Sequence, residues 1–567
     1  MTRPARRLLV RLGTASLLAG GLALGSVAPP AGAAPVPRPA LSAGSARPAT
    51  QAVPVRTLAP ADSARRAPAT RTIVRGIDVD RTPIPRLQRL MNRHRLTSVQ
   101  LTRFYTRRIA RLNPRLHAVI TVSRTARADA RRADRLRRQG VRRPLLGIPV
   151  LVKDNVDTTG MPTTAGSLAL KGSTPPDAFI VKRLKAAGAL VIGKTNLSEW
   201  ANYRSTNSTS GWSVVGGQTN NPYVLDRNPC GSSAGSGVAA AADLATVAIG
   251  TETDGSIVCP SAQNGNVGIK PTLGLASRTG IVPISAEQDT AGPITRNVTD
   301  AAVVLGALTG VDPADSATAD QAGHVRSGYR AALRLHALRG ARIGVWRKGN
   351  FGASAATDRI MERTIRRLRR AGARIVDPAN IPIEPAYDGE NTALEYEFKH
   401  DVAAYLQRWT AARYPKTLAD LIAFNDAHAS TELKYFGQEI FTESQSKGPL
   451  TDPAYLKARS DATRIARRAI DSTLAKYDLD AVIAPTNSPA WRTTLGQGDA
   501  FVLGSSSPAA ISGYPSITVP AGYSRHLPVG VSFIGARWSE ARLISLGYSF
   551  ERATQVRRKP TYLRTIG

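Results

Sequence analysis

Cysteine is nearly missing from this chain: 2 residues in 567. So few exclude a disulfide scaffold and a Cys-rich zinc module. Acidic side chains are also short, 41 Asp+Glu against 76 Lys+Arg, a formal net charge of +35. Lysine itself is scarce, with 14 of the basic residues against 62 arginines. With so much alanine, that is what a GC-rich coding bias produces, and it weakens any functional reading of the isoelectric point near 11.0. There is no fixed-period repeat. A hydrophobic content of 42% and a mean hydropathy of -0.18 describe a soluble globular body, not a disordered or multi-span chain.

A charge of this size raises nucleic acid, other polyanions or a membrane surface as partners. Its distribution decides. Residues 1–143 hold 30 basic and 5 acidic side chains, net +25. Residues 144–310 hold 11 of each, and residues 311–567 hold 35 and 25, net +10. A polyanion-binding protein predicts a basic face on the folded body, and the middle block is neutral.

The first residues read as an export signal. Arg3, Arg6 and Arg7 form a positive start, an apolar run extends from Leu12 to Ala28, and Ala31-Gly32-Ala33 offers a small-x-small cleavage site before Ala34. The run is too short and Gly-rich for a comfortable span of about 20 residues. The pair Arg6-Arg7 fits twin-arginine as well as general export. Residues 34–76, rich in Pro, Ala, Arg, Ser and Thr, read as a disordered basic linker, either inert or in weak contact with anionic cell-wall polymer. The expected mature protein is secreted, without a membrane span.

The body, 77–567, alternates helical and strand patterns. Thr97 or Ser98 caps a helix with an apolar face of Leu101, Phe104, Tyr105, Ile109 and Leu112, and Pro114 follows its expected end. A second, Arg-rich helix runs from Ala126 to Arg138. Leu146–Val152, Ala189–Ile192 and Ala245–Ile249 read as buried strands, with a helix over Ala178–Ala187. This alternation predicts an α/β layer architecture with a largely parallel sheet. From about residue 311 to 460 long helices with Tyr396, Phe398, Tyr405 and Trp409 suggest an elaboration of the same domain. Ala481–Pro485 and Pro515–Pro520 return to strands.

Three segments of the neutral block carry chemistry. Gly147–Asn155 places Lys153 at the end of an apolar strand, where lost hydration disfavours the ammonium and lowers its pKa; the ordinary alternative is a lysine that snorkels to water. Asn228–Gly237 is a loop of Gly and Ser residues that also serves simply to cap the helix after it. Gly250–Ile257 runs a strand into a Gly turn that presents Ser256, with successive N–H groups able to face a developing oxyanion.

The ordered combination of the three is specific. Lys153, Ser232 in Gly231-Ser232-Ser233, and Ser256 in Gly255-Ser256-Ile257 resemble the amidase signature family. The similarity runs across about Ile77 to Gly567 and includes Gly193–Trp200, Gly216–Pro222 and Gly268–Thr272. Ser198–Asn202, Ser210–Trp212, Pro229–Ser233 and Thr251–Pro260 look most like the bacterial peptide amidases. Where the broader family usually has Gly-Gly-Ser-Ile followed often by Arg, this chain has Asp254 for the first Gly and Val258 for the Arg, as in that branch. Ala234 stands where the branch often has a third Ser.

The resemblance implies an α/β/α sandwich around a large twisted mixed sheet. It implies a Ser–cis-Ser–Lys triad, with Ser256 as nucleophile, Ser232 after a cis peptide from Gly231 as proton relay, and neutral Lys153 as base. The N–H groups of Thr253, Asp254, Gly255 and Ser256 would bind the oxyanion, and Ser233 would support Lys153 by hydrogen bonding. A monomer acting on a small-molecule or peptide amide is expected, with no metal, cofactor or nucleic acid.

Two rival readings are enzymatic. Gly231–Gly235 also fits the G-x-S-x-G nucleophile elbow, which needs a strand directly before it and a partner among His324, His336, His400, His428 and His526. The tRNA-dependent amidotransferase members of the same family work in the cytoplasm with partner subunits and tRNA, and the export segment argues against them. Cys230 and Cys259 lie beside Ser232 and Ser256 in sequence, either as two buried thiols or as a disulfide, and geometry decides.

Overall fold

The apolar run around Val150 becomes the middle of one large sheet. The computed structural model describes residues 72–325 and 328–566. The expected export segment and all but the last residues of the expected linker lie outside them; of those last residues, Ile73–Val74 pairs antiparallel with Ile77–Asp78. Eleven strands make the sheet: β1 Val119–Val122, β2 Pro149–Lys153, β3 Leu190–Thr195, β4 Val247–Glu252, β5 Val267–Lys270, β6 Thr290–Thr295, β7 Arg342–Val345, β8 Arg374–Val376, β9 Ala481–Pro485, β10 Ser516–Ser524 and β11 Leu527–Ile534. Their spatial order is β8-β7-β9-β11-β10-β5-β6-β4-β2-β3-β1. β2 lies parallel between β3 and β4 and is buried along its whole length, which is why it reads as an unbroken apolar run.

The sheet is mixed, which corrects the largely parallel expectation from alternation. Four neighbouring pairs are parallel and six antiparallel. The alternation signal held around β2–β4 and β7–β9. The centre is antiparallel because β10 and β11 form a hairpin turned at Arg525-His526, with Arg525 at φ 52°. The 311–460 stretch is also not all helix: it contributes β7 and β8, two short strands too brief for a period to show.

Helices cover both faces. On one face Ile517, Val519, Val529, Val531 and Phe533 pack with residues of the helices Val298–Leu308, Ala355–Arg370 and Glu540–Thr554. Side chains alternate along a strand, so Gly530 and Ser532 point the other way; a Cβ on Gly530 would lie 2.8 Å from Ala262 in the helix Val258–Gln263. The helix Ala234–Ala241 is buried at every residue and lies against the same neighbour, since a Cβ on Gly237 would meet Pro260 O at 2.7 Å.

The helix Ser98–Leu116 starts with a Thr97–Gln100 capping box and buries Leu101, Tyr105, Ile109 and Leu112 as expected, with Phe104 half-buried. Pro114 lies inside this helix instead of after it; in the last turn its missing N–H costs a single bond, and His117 ends the helix at φ 48°. The long helices Tyr387–Trp409 and Pro453–Lys476, with Leu418–Ala427 and Glu439–Ser446, form the helical elaboration. Phe398, Tyr405, Leu421 and Phe441 pack there on Trp200 and Ile284, beside the site.

Candidate active site

Lys153 is the last residue of β2 and is fully buried. Burial pushes its amine down to about 7, against an opposing pull from the Asp289 and Glu252 carboxylates. Its Nζ lies 2.7 Å from Ser232 Oγ, 2.9 Å from Thr251 Oγ1 and 3.4 Å from Thr251 O. A neutral amine has two N–H donors and one lone pair. In that form the two Thr251 oxygens can take the donors, which leaves the lone pair to accept the Ser232 hydroxyl; the ammonium form would donate to Ser232 instead. The snorkelling alternative is thereby excluded.

Two other lysines are buried nearby and behave differently. Lys194 pairs with Asp154 at 3.4 Å and donates to Pro162 O and Thr163 Oγ1. Lys270, pushed down to about 8 chiefly by burial, donates to the carbonyls of Ala509 and Tyr514. Lys153 alone of the three meets a serine hydroxyl.

The loop that delivers Ser232 has no room for side chains. The Gly231–Ser232 peptide is cis. A Cβ on Gly231 would stand 2.2 Å from Ser198 Oγ, so only glycine fits. Ser232 O accepts from Ser198 N–H at 3.0 Å, and the helix Ala234–Ala241 follows at once. Residues 228–231 form no strand, which removes the structural context the nucleophile elbow requires. None of the five candidate histidines hydrogen-bonds Ser232 among the described residues; His400 meets Gly448 O and His428 meets Phe424 O.

Ser256 closes the turn after β4. Gly255 sits at φ 76°, and a Cβ there would lie 3.1 Å from Ser506 Oγ. Glu252 Oε2 accepts the N–H groups of Ile257 at 2.7 Å and Val258 at 3.0 Å, which pins the far side of the turn. Among the described residues the N–H groups of Thr253, Asp254, Gly255 and Ser256 donate no hydrogen bond. Ser233 N–H donates to Ser256 O at 3.2 Å, so the two serine loops meet through backbone. No direct Ser232–Ser256 hydroxyl hydrogen bond is formed.

The loops are also joined covalently. Cys230 and Cys259 form a disulfide, packed against Trp491. Ser233 does not touch Lys153 directly. Its Oγ donates to Thr251 O at 3.0 Å and accepts Thr251 N–H at 3.2 Å, so any support for Lys153 passes through Thr251. Thr251 and Asn155, whose Nδ2 donates to Thr251 Oγ1 at 3.0 Å, belong to the site and were not singled out from the sequence. Both lie in the motifs that were, but their side chains carry no signature beyond polarity.

Ser256 opens onto a cavity of about 560 Å³. Its walls include Asn202, Asp254, Leu394, Ile440, Trp491 and Phe501. The helical elaboration and the 485–515 segment therefore both contribute to it.

The sequence matches the family described as Amidase over residues 100–544. A peptide amidase solved with the competitive inhibitor chymostatin is 50% identical, with a TM-score of 0.82 over 85% of this chain and 99% of that one. The native peptide amidase from Stenotrophomonas maltophilia is also 50% identical, with a TM-score of 0.81 over 85% and 98%. A probable amidase of Arabidopsis thaliana is 41% identical over 83% of this chain and 90% of its own length. With this similarity spanning the mixed sheet and the loops of Lys153, Ser232 and Ser256, the chain belongs to the amidase signature family and is an amidase.

Proposed function

We propose that this amidase hydrolyses carboxamides, C-terminal peptide amides foremost, to a carboxylate and ammonia through an acyl-enzyme on Ser256. The observation that carries the reading is the buried Lys153 amine, held near neutrality 2.7 Å from Ser232 Oγ beside the cavity that Ser256 lines. A serine hydroxyl is a weak nucleophile until a neighbour takes its proton. Ser256 Oγ attacks the carbonyl carbon, its proton passes to Ser232 Oγ, and the Ser232 proton passes to the Lys153 lone pair. The carbonyl oxygen becomes the oxyanion, facing the unbonded N–H groups of the Thr253–Ser256 turn. The proton returns by the same path to the nitrogen, the C–N bond breaks, and ammonia leaves. Water then attacks the ester on Ser256 in the same way, restoring the hydroxyl.

Similarity to solved peptide amidases supports the substrate class. In the same reading residues 1–33 are an export signal, and the protein works outside the cell as a monomer. The substrate test measures ammonia or amine release from N-blocked dipeptide amides, acyl amides and aryl anilides. Peptide amides are expected to give the highest kcat/KM; a preference for anilides or fatty acyl amides would overturn the substrate assignment.

A further inference from the structure

We propose that the Asp254 carboxylate receives the nitrogen of the scissile carboxamide, so that the enzyme selects primary amides over esters of the same acyl group. The proposal rests on the acyl-enzyme reading above. Asp254 lies two residues before Ser256 in the same turn and lines the same cavity. Its Oδ1 is buried and has no hydrogen-bond partner in the protein. Ser506 and Ser507 line the cavity with it, and their hydroxyls favour its ionised form. A carboxylate is an acceptor only, and a buried oxygen left without a donor is costly. The ligand that relieves it must bring N–H or O–H groups.

The other acid in the cavity wall does not present the same demand. Asp499 accepts the Ser210 N–H at 3.0 and 3.2 Å through its two oxygens, and its Oδ1 also takes Asn228 Nδ2 at 3.4 Å. Behind the turn, Glu390 Oε1 accepts Gln288 Nε2 at 2.6 Å, Gln288 Nε2 also reaches Thr253 O at 3.2 Å, and Arg459 Nη1 donates to Gln288 Oε1 at 3.1 Å. Burial first, then the charge of Asp254, pushes Glu390 up to about 8. Burial pushes the Asp254 carboxyl up as well, and the Ser506 and Ser507 hydroxyls oppose that rise.

A carboxylate oxygen at this point suits the nitrogen and not the oxygen of the reacting group. As the tetrahedral intermediate collapses, the nitrogen takes up the proton returned through Ser232 and leaves as ammonia. Its N–H groups gain positive character at that moment, and Oδ1 accepts one of them without itself taking a proton. An ester oxygen carries no hydrogen until the relayed proton reaches it, whereas the nitrogen of a primary amide already carries two. A glycine, usual at this position in the broader family, has no side chain to make such a contact.

The test compares a carboxamide with its matched methyl ester on wild type and Asp254→Asn. The expected result is a fall of about 10-fold or more in the amide-to-ester ratio of kcat/KM, since the asparagine oxygen can still accept the N–H but without the charge that strengthens the bond. An unchanged ratio would overturn the proposal, whatever the absolute loss of rate. If Asp254→Asn does not fold, binding to Ser256→Ala decides: it is expected to hold the amide about 10-fold or more tighter than the ester, and equal affinities would overturn the proposal. The amide used is the one that wild type hydrolyses best. Failure on peptide amides alone thus counts against the substrate class, not against Asp254.

Discussion

At the residue scale the proposed chemistry rests on one amine whose charged form burial disfavours. Lys153 must be uncharged to accept a proton, so activity is expected to fall as pH drops through about 7. Lys153→Ala should lose on the order of 10²- to 10⁴-fold in kcat near pH 7.5, as for other general bases. Asp289 holds the ammonium form by its charge. Asp289→Asn removes that charge, lowers the Lys153 pKa and should move the acidic limb of the kcat/KM profile to lower pH; movement to higher pH would contradict this sign. Lys153, Ser232 and Ser256 were legible in the sequence only in combination: each segment alone had an ordinary reading, and their order and spacing carried the family resemblance that gave them roles. Thr251 was not, because its role lies in which atoms it meets: both of its oxygens face Lys153 Nζ.

At the element scale the site depends on two loops from distant sequence being held together. Ser233 N–H on Ser256 O is one tie, and the Cys230–Cys259 disulfide is the other. The disulfide closes within two residues of Ser232 and three of Ser256. Cys259→Ser should therefore lower kcat by on the order of 10- to 100-fold, the scale of a small misplacement of reacting groups, while the far-ultraviolet circular dichroism persists. A thiol titration of unfolded, unreduced wild type should find no free thiol; two would show that the loops are not joined. The strands around Lys153 could be read from their burial on both faces. The antiparallel centre could not, since β10 pairs with β5, which lies far from it in the chain.

At the scale of the whole molecule, the charge of +35 is separate from the chemistry. Net +25 of it lies in residues 1–143, and the block with Lys153, Ser232 and Ser256 is neutral. Edman or mass-spectrometric analysis of protein recovered outside the cell is expected to find Ala34 as the first residue; an intact Met1 on that protein would refute cleavage. Added salt should change amidase activity little, because the buried ionic groups of the site are poorly screened.

The central claim is that Ser256 is the nucleophile served by Ser232 and Lys153. Intact-mass measurement after treatment with a fluorophosphonate tests it most directly. Wild type should gain one adduct that maps to Ser256, and folded Ser256→Ala should gain none. An adduct on Ser232, or persistent labelling of Ser256→Ala, would contradict the account.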